Sequence, residues 1–331
     1  MKYFCTYFDF NYIQQGWTLF RSLQNTVESF KLFVICMDDK VFEVLSQAAP
    51  NIIIPIKLSD IETFDPEYAA SRNNRSIYEY FFTLTPVMPL YIFQQYPEVD
   101  LLTYLDADLY FYSSPQALYD ELGTNSMLIT PHRFPEKIKW REKFGLYNVS
   151  LQIYRRDDNT MKALQWWRRK CIEWCYDVVE EERFADQKYL NQIIELFDGV
   201  IASQLKGAGL APWNWWQYNF EYDSNGKLLV DGEDLIFYHF QGFKVLNSSL
   251  LLHNLGHYKR VMPRKLLKFF YLGYLRELYR SILYLKKHFP QYEYSLITKH
   301  NRIGMKFMRN ILSAIYHRAI MCYSNSALRQ R

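Results

Sequence analysis

Leu101-Leu102-Thr103-Tyr104-Leu105-Asp106-Ala107-Asp108 reads as a buried strand that ends in two carboxylates. Apolar and aromatic residues lead in from Val99 and continue from Leu109 to Tyr112, too few for a typical helix and typical of a strand covered on both faces. Ser113, Ser114 and Pro115 stop the run. Alternate side chains of a strand share a face, and a rise of about 3.3 Å per residue sets the Asp106 and Asp108 backbones roughly 6–7 Å apart. One small cation can be held by both. Without it, crowded carboxylates raise each other's pKa, whereas a divalent ion favours the ionised form of each. An isolated D-x-D more often just ends a strand and starts a turn, so the rest of the chain decides between the two.

Upstream, Lys2 to Phe8 is strand-like and runs into Asp9-Phe10-Asn11-Tyr12, after which Ile13 to Leu23 has helical apolar spacing. No signal-peptide pattern is expected there, since no long apolar region and small-residue cleavage site follow. Phe30 to Met37 predicts a second strand, Val41 to Ala49 a second helix and Asn51 to Leu58 a third strand. Strands alternating with helices predict an α/β fold, a mostly parallel sheet with helices on both faces and ligands at the carboxyl ends of strands. Ser76 to Leu84 is expected to be helical, broken by Pro86 and Pro89, with Arg75 just ahead as a cation near the strand ends.

Downstream, a helix is expected near Pro115 to Leu122 and a strand at Ser126 to Thr130, then Pro131-His132-Arg133-Phe134-Pro135 and a basic loop ending in Gly145-Leu146-Tyr147-Asn148-Val149-Ser150. Leu151 to Tyr154 is a further strand, and Thr160 to Val179 a long helix whose Trp166, Trp167 and Trp174 read as packing. Asp186-Gln187 opens another helix, where the plain role of Asp186 is an N-cap. Late strands are expected at Gly199 to Ser203 and at Leu235 to His239, the second running into Phe240-Gln241-Gly242-Phe243-Lys244.

The chain has 331 residues, 49% hydrophobic and 18% aromatic, with only 12 glycines and 12 prolines, which suits one large domain with an appendage and argues against disorder. The five cysteines include no C-x-x-C pair, which speaks for reduced core cysteine and against a structural zinc site. The formal net charge of +4 is split: from Tyr258 onward there are 16 Lys+Arg and 2 Asp+Glu, leaving the preceding residues near −10. Two units follow, a body over residues 1–257 and a basic helical tail over 258–331. Lys265, Lys268, Arg276, Arg280, Lys286 and Lys287 fall on one side of a helical wheel, with Leu267, Tyr271, Tyr274, Leu278 and Ile282 opposite. Such a helix suits an anionic membrane surface, with docking on the body as the other reading. The expected location is cytoplasmic, peripheral on the inner face of the membrane. No nucleic-acid partner is expected, and no run is apolar and long enough to span a bilayer.

Four polar clusters thus stand where strands should end: Asp9/Asn11/Tyr12, Asp106/Asp108, Asp186/Gln187 and His239/Gly242/Lys244. Their order and spacing over residues 1–245 resemble the metal-dependent nucleotide-sugar glycosyltransferases of the GT-A fold, particularly family 8, which includes glycogenin and bacterial lipopolysaccharide galactosyltransferases. The resemblance implies that Asp9, Asn11 and Tyr12 hold the nucleotide, with Tyr12 stacking on the base. It implies a metal, manganese or magnesium, on Asp106, Asp108 and His239. It sets Asp186 and Gln187 at the transferred sugar, with Gln187 opposite the leaving group. Arg75, Gly242 and Lys244 become donor contacts, and His132 and Asn148 acceptor contacts. Lys244 stands one residue nearer the histidine than in the family motif, and Ser150 replaces the family's glycine. The implied reaction is transfer from a nucleotide-sugar donor, of uridine type, to a glycan or lipid-linked acceptor, with retention.

Two other readings compete. A D-x-D phosphatase wants its motif on the first strand with threonine two residues past the second aspartate, where this chain has Tyr110. A membrane-associated binding or scaffold protein would keep the same fold without catalysis.

Overall fold

Phe4 and Cys5, adjacent in strand β1 (Lys2–Phe8), are both fully buried yet lie in two different apolar clusters, one on each face of the strand. Strand β2 (Phe30–Cys36) repeats this, with Leu32 and Val34 in one cluster and Phe33 and Ile35 in the other. A strand apolar on both faces is stable only between two layers, which places helices above and below. The computed structural model describes residues 1–247, 249–297 and 320–322.

Strands β3 (Ile53–Lys57), β4 (Leu101–Leu105), β5 (Leu109–Phe111), β6 (Met127–Pro131), β7 (Tyr147–Arg155) and β8 (Val200–Ala202) follow. The main sheet has seven strands in the order β3-β2-β1-β4-β7-β6-β8. All neighbours pair in parallel except β7, which runs against both β4 and β6. Helices Ile13–Thr26, Asp39–Ala48 and Gln116–Leu122 cover one face. Helices Ile77–Gln95, Asp158–Glu173 and Leu190–Leu196 cover the other. This is the expected α/β architecture, a mostly parallel sheet between helical layers.

Three local expectations need correction. The run from Leu101 to Tyr112 is two strands, because Asp106-Ala107-Asp108 forms a turn between β4 and β5. Pro86 and Pro89 do not break their helix, which runs Ile77–Gln95 through both. Each proline costs a backbone hydrogen bond, but the helix buries Tyr80, Leu84, Val87, Met88, Ile92 and Phe93 and starts on a Ser76/Glu79 capping box, so packing and capping outweigh the loss. The tryptophan-bearing helix ends at Glu173, short of Val179, as Trp174 turns extended.

Beyond the main sheet, β9 (Phe220–Tyr222), β10 (Leu228–Val230) and β11 (Glu233–Asp234) make a small antiparallel sheet. β12 (Phe237–His239) pairs antiparallel with β5. β13 (Lys244–Asn247), β14 (Leu250–Leu252) and β15 (Ile320–Cys322) make a third, also antiparallel.

Within the tail, the helix Gly273–His288 packs on the body. Trp17 stacks on Tyr284 at 4.9 Å, Thr18 and Ser281 share a buried hydrogen bond of 2.7 Å, and Ile282 and Leu285 join the cluster that holds Phe4. Tyr271, Tyr274, Leu278 and Ile282, offered by the wheel for a lipid interface, are therefore buried, Leu278 and Ile282 being 2% and 3% exposed. On the outer side, Lys265, Lys268, Arg280, Lys286 and Lys287 are exposed and Arg276 is half-buried. Tail residues 298–319 and 323–331 lie outside the described residues. Among the described residues no helix is long and apolar enough to cross a membrane.

Candidate active site

The carboxyl ends of β1, β4 and β6 open on one edge of the sheet, and β7, running the other way, brings its first residues to that same edge. Past Leu105 the chain turns, with Leu109 N–H donating to the Asp106 carbonyl (3.3 Å) and Asp106 N–H to the Ser150 carbonyl of β7 (2.8 Å). The β5–β12 ladder then sets His239 opposite Leu109, and Phe240 N–H donates to the Asp108 carbonyl (3.0 Å). Backbone pairing alone thus carries a histidine from far along the chain to the D-x-D turn.

His239 Nε2 lies 3.1 Å from Asp108 Oδ1 and 3.7 Å from Asp106 Oδ2, and one donor atom from each residue falls within 4.8 Å of the others. Burial holds the Asp106 carboxyl above the ordinary carboxylate range, with His239 opposing and Asp108 adding to the rise. Burial alone would depress the His239 imidazole, but the Asp108 and Asp106 carboxylates together outweigh it and the pKa is raised. Tyr104 donates its hydroxyl to Asp106 Oδ1 at 2.7 Å. Two crowded carboxylates with an imidazole edge facing them fit a divalent cation, which would relieve the repulsion that burial intensifies.

On the Asp108 side, Asn11 Nδ2 donates to Asp9 Oδ2 (2.9 Å) and Tyr12 N–H to the Asp9 carbonyl (3.0 Å). Asp38 steadies this loop by accepting from Phe10 N–H (2.7 Å) while capping the following helix through Val41 N–H. The Tyr12 ring is 47% exposed. Its phenol is held above the ordinary tyrosine range by partial burial and then by Asp108 and Asp9, which sets it at the same recess.

On the Asp106 side stands Asp186. Its carboxyl is pushed up to about 7, chiefly by burial, with Asp106 adding to the rise and Thr85 opposing. It makes no side-chain cap bond to the short helical turn Gln187–Tyr189, so the plain N-cap role is not the one it plays. The preceding Ala185 holds φ +46°, a left-handed conformation that costs a non-glycine residue about 1 kcal/mol. Trp167, fully buried, donates its indole N–H to the Asp186 carbonyl (2.8 Å). Gln187 Nε2 donates to the Phe144 carbonyl (3.0 Å) and its Oε1 accepts from Asn148 Nδ2 (3.2 Å). Asn148 and His132 are both buried and joined by a 3.1 Å contact between Asn148 Nδ2 and His132 Nε2.

Three remaining residues sit apart from this cluster's hydrogen bonds. Arg75 turns its guanidinium onto the end of helix Asp158–Glu173, donating to the Cys171 and Ile172 carbonyls (2.8 Å each) and to Thr83. Gly242 takes φ +72° in the turn after β12, and a Cβ there would meet Asn254 Nδ2 at 2.4 Å, so only glycine fits. Lys244, half-buried, pairs with Leu252 in the third sheet.

Two contributors went unread in the sequence. Tyr104 was findable, because it stands two residues before Asp106 at the end of a strand. Trp213 was not, since it lies in an aromatic loop without periodicity. Its ring meets His239 edge-on at 5.5 Å and His132 at 5.4 Å.

No protein-family model matches the sequence. In structure the chain is similar to the galactosyltransferase LgtC in complex with donor and acceptor sugar analogs, with a TM-score of 0.47 and 17% identity, covering 72% of this chain and 87% of that one. It is similar also to mouse xyloside xylosyltransferase 1, with a TM-score of 0.48 and 12% identity, covering 73% of this chain and 98% of that one. In sequence it is 30% identical over 285 residues to the uncharacterized protein YfnD of Bacillus subtilis (strain 168), covering 85% of this chain and 90% of the relative. At that identity, sustained along nearly the whole of both proteins, the chain belongs to the same family as YfnD.

Proposed function

We propose that this chain is a metal-dependent glycosyltransferase, moving a hexose from a nucleoside-diphosphate sugar, of uridine type, to a glycan or lipid-linked acceptor with retention. The observation that carries the reading is the convergence of Asp106, Asp108 and His239 within 4.8 Å at one sheet edge. Asp106, Asp108 and His239 would hold the ion, manganese or magnesium, which when bound supplies positive charge for a departing nucleoside diphosphate. Asp9 and Asn11 orient the nucleoside, and the half-exposed Tyr12 ring offers a face for its base. Asp186 and Gln187 face the transferred sugar. By the family resemblance Arg75, Gly242 and Lys244 contact the donor, and Asn148 borders the acceptor side.

The exposed bases of the tail support attraction to an anionic leaflet by charge alone, at about 1 kcal/mol for each base near the surface. Sedimentation with phosphatidylserine vesicles tests this, and binding that persists unchanged in high salt sinks it.

The central test is a panel of nucleotide-sugars incubated with purified protein and manganese. Release of nucleoside diphosphate that stops on chelation is the expected result. Nucleotide binding with no turnover across the panel would instead favour a non-catalytic binding protein.

A further inference from the structure

Gln187 has a side-chain amide whose oxygen and nitrogen occupy nearly the same space, so its use at a sugar depends on something that tells the two ends apart. One end is set by the Phe144 carbonyl, which accepts from Nε2 at 3.0 Å. The other is set by Asn148, whose Nδ2 donates to Oε1 at 3.2 Å. Asn148 itself is oriented because its Oδ1 accepts from Ser150 N–H at 3.0 Å. That leaves the second Nδ2 hydrogen, aimed at His132 Nε2 at 3.1 Å.

The contact is a hydrogen bond only if His132 Nε2 carries a lone pair, which requires a neutral ring with its proton on Nδ1. The surroundings of His132 fix its position and favour the uncharged ring, while its buried Nδ1 has no hydrogen-bond partner, so the Asn148 contact alone selects the tautomer. Its carbonyl accepts from Trp213 Nε1 and Asn214 Nδ2, at 3.0 Å each, and its N–H donates to the Leu146 carbonyl at 2.9 Å. Phe134 stacks on the ring at 4.5 Å. Burial, with His239 next, pushes the imidazole down to about 3, which favours the neutral ring that the Asn148 contact needs.

We infer that His132 is a positioning residue: as a neutral acceptor for Asn148 it fixes the amide of Gln187 with Oε1 in one orientation, and it does not itself touch the acceptor. This rests on the reading of Gln187 as the residue facing the transferred sugar.

Steady-state turnover of the best donor with manganese tests the relay. His132→Leu, which removes the acceptor atom, should lower kcat about tenfold, the rate equivalent of one lost hydrogen bond, with KM for donor unchanged. His132→Gln, which restores an acceptor oxygen, should recover most of the loss. In a Gln187→Ala background His132→Leu should cost nothing more, because the residue it serves is gone. A full additional loss in that background, or a rise in KM for acceptor with kcat intact, would overturn the inference. Selective ¹⁵N labelling of histidine gives a readout independent of turnover and of whether the leucine variant folds. A His132 ring protonated on Nδ1 from pH 5 to 8 supports the arrangement, and one protonated on Nε2 overturns it. If wild-type protein turns over no nucleotide-sugar, the glycosyltransferase reading fails, and the tautomer alone then decides the His132 arrangement.

Discussion

Two regions of this chain combine charge with aromatic residues and use them in opposite senses. At the sheet edge, Asp106 and Asp108 converge with His239, and burial raises the pKa of Asp106 and of Asp186 beside it. In the helix Gly273–His288, Arg280, Lys286 and Lys287 are exposed and the apolar side is spent on the body. Like charges held together without a partner lower stability; charges spread over a solvated face cost almost nothing. The first arrangement therefore calls for a ligand, whereas the second is stable without one.

The sharpest way to break that contrast is at the aspartates. Asp108→Asn should reduce manganese-dependent turnover by about 10³-fold or more, the scale of losing a main electrostatic contact to a transition state. A variant that keeps wild-type turnover would remove Asp108 from the site.

The tail side of the contrast is tested by cavity formation. Ile282→Ala should cost about 2–4 kcal/mol in urea unfolding, because the side chain is buried against the body. A loss below about 0.5 kcal/mol would mean that the helix does not pack as described.

Asp186 sharpens the comparison through pH. Its folded pKa, about 7, lies above the ordinary carboxylate value, so the stability it contributes is present below about pH 4 and lost as pH rises through 7. Asp186→Asn, measured in chelator, should therefore raise Tm at pH 8 and leave it unchanged near pH 4. Equal shifts at both would show that the carboxyl is not held in its neutral form by burial.

The smallest effect belongs to the solvated face. Lys286→Glu with Lys287→Glu should change unfolding free energy by less than about 0.5 kcal/mol, since both side chains are exposed. Turnover on a soluble acceptor should also stay constant. A large loss in either would give these bases a partner on the protein itself.

Legibility followed locality. β1, β2, β3 and β4 announce themselves because each is a short apolar run covered on both faces, and the polar residues just past their ends fall on the site edge without further information. The prolines at 86 and 89 misled because a local cost, real in an isolated helix, is outweighed by a buried face that only the assembled core supplies. The family resemblance makes Arg75 a donor contact, and only the fold shows that its guanidinium also holds carbonyls nearly a hundred positions along the chain. The Asp186 segment reads as a helix start and is one, but its left-handed Ala185 and buried carboxyl were not visible in residue order.

The α/β alternation, the carboxylate pair, the late histidine and the charge split along the chain are carried by residue identity and short-range spacing. Long-range pairing was needed to show that a turn, not strand alternation, aims Asp106 and Asp108, and that the β5–β12 ladder delivers His239 within 3.1 Å of Asp108. The tertiary structure also decided which side of the tail helix meets the body. An amphipathic pattern states that one face must leave water, but the surface that receives that face is made by residues such as Trp17 and Thr18, far away in the chain.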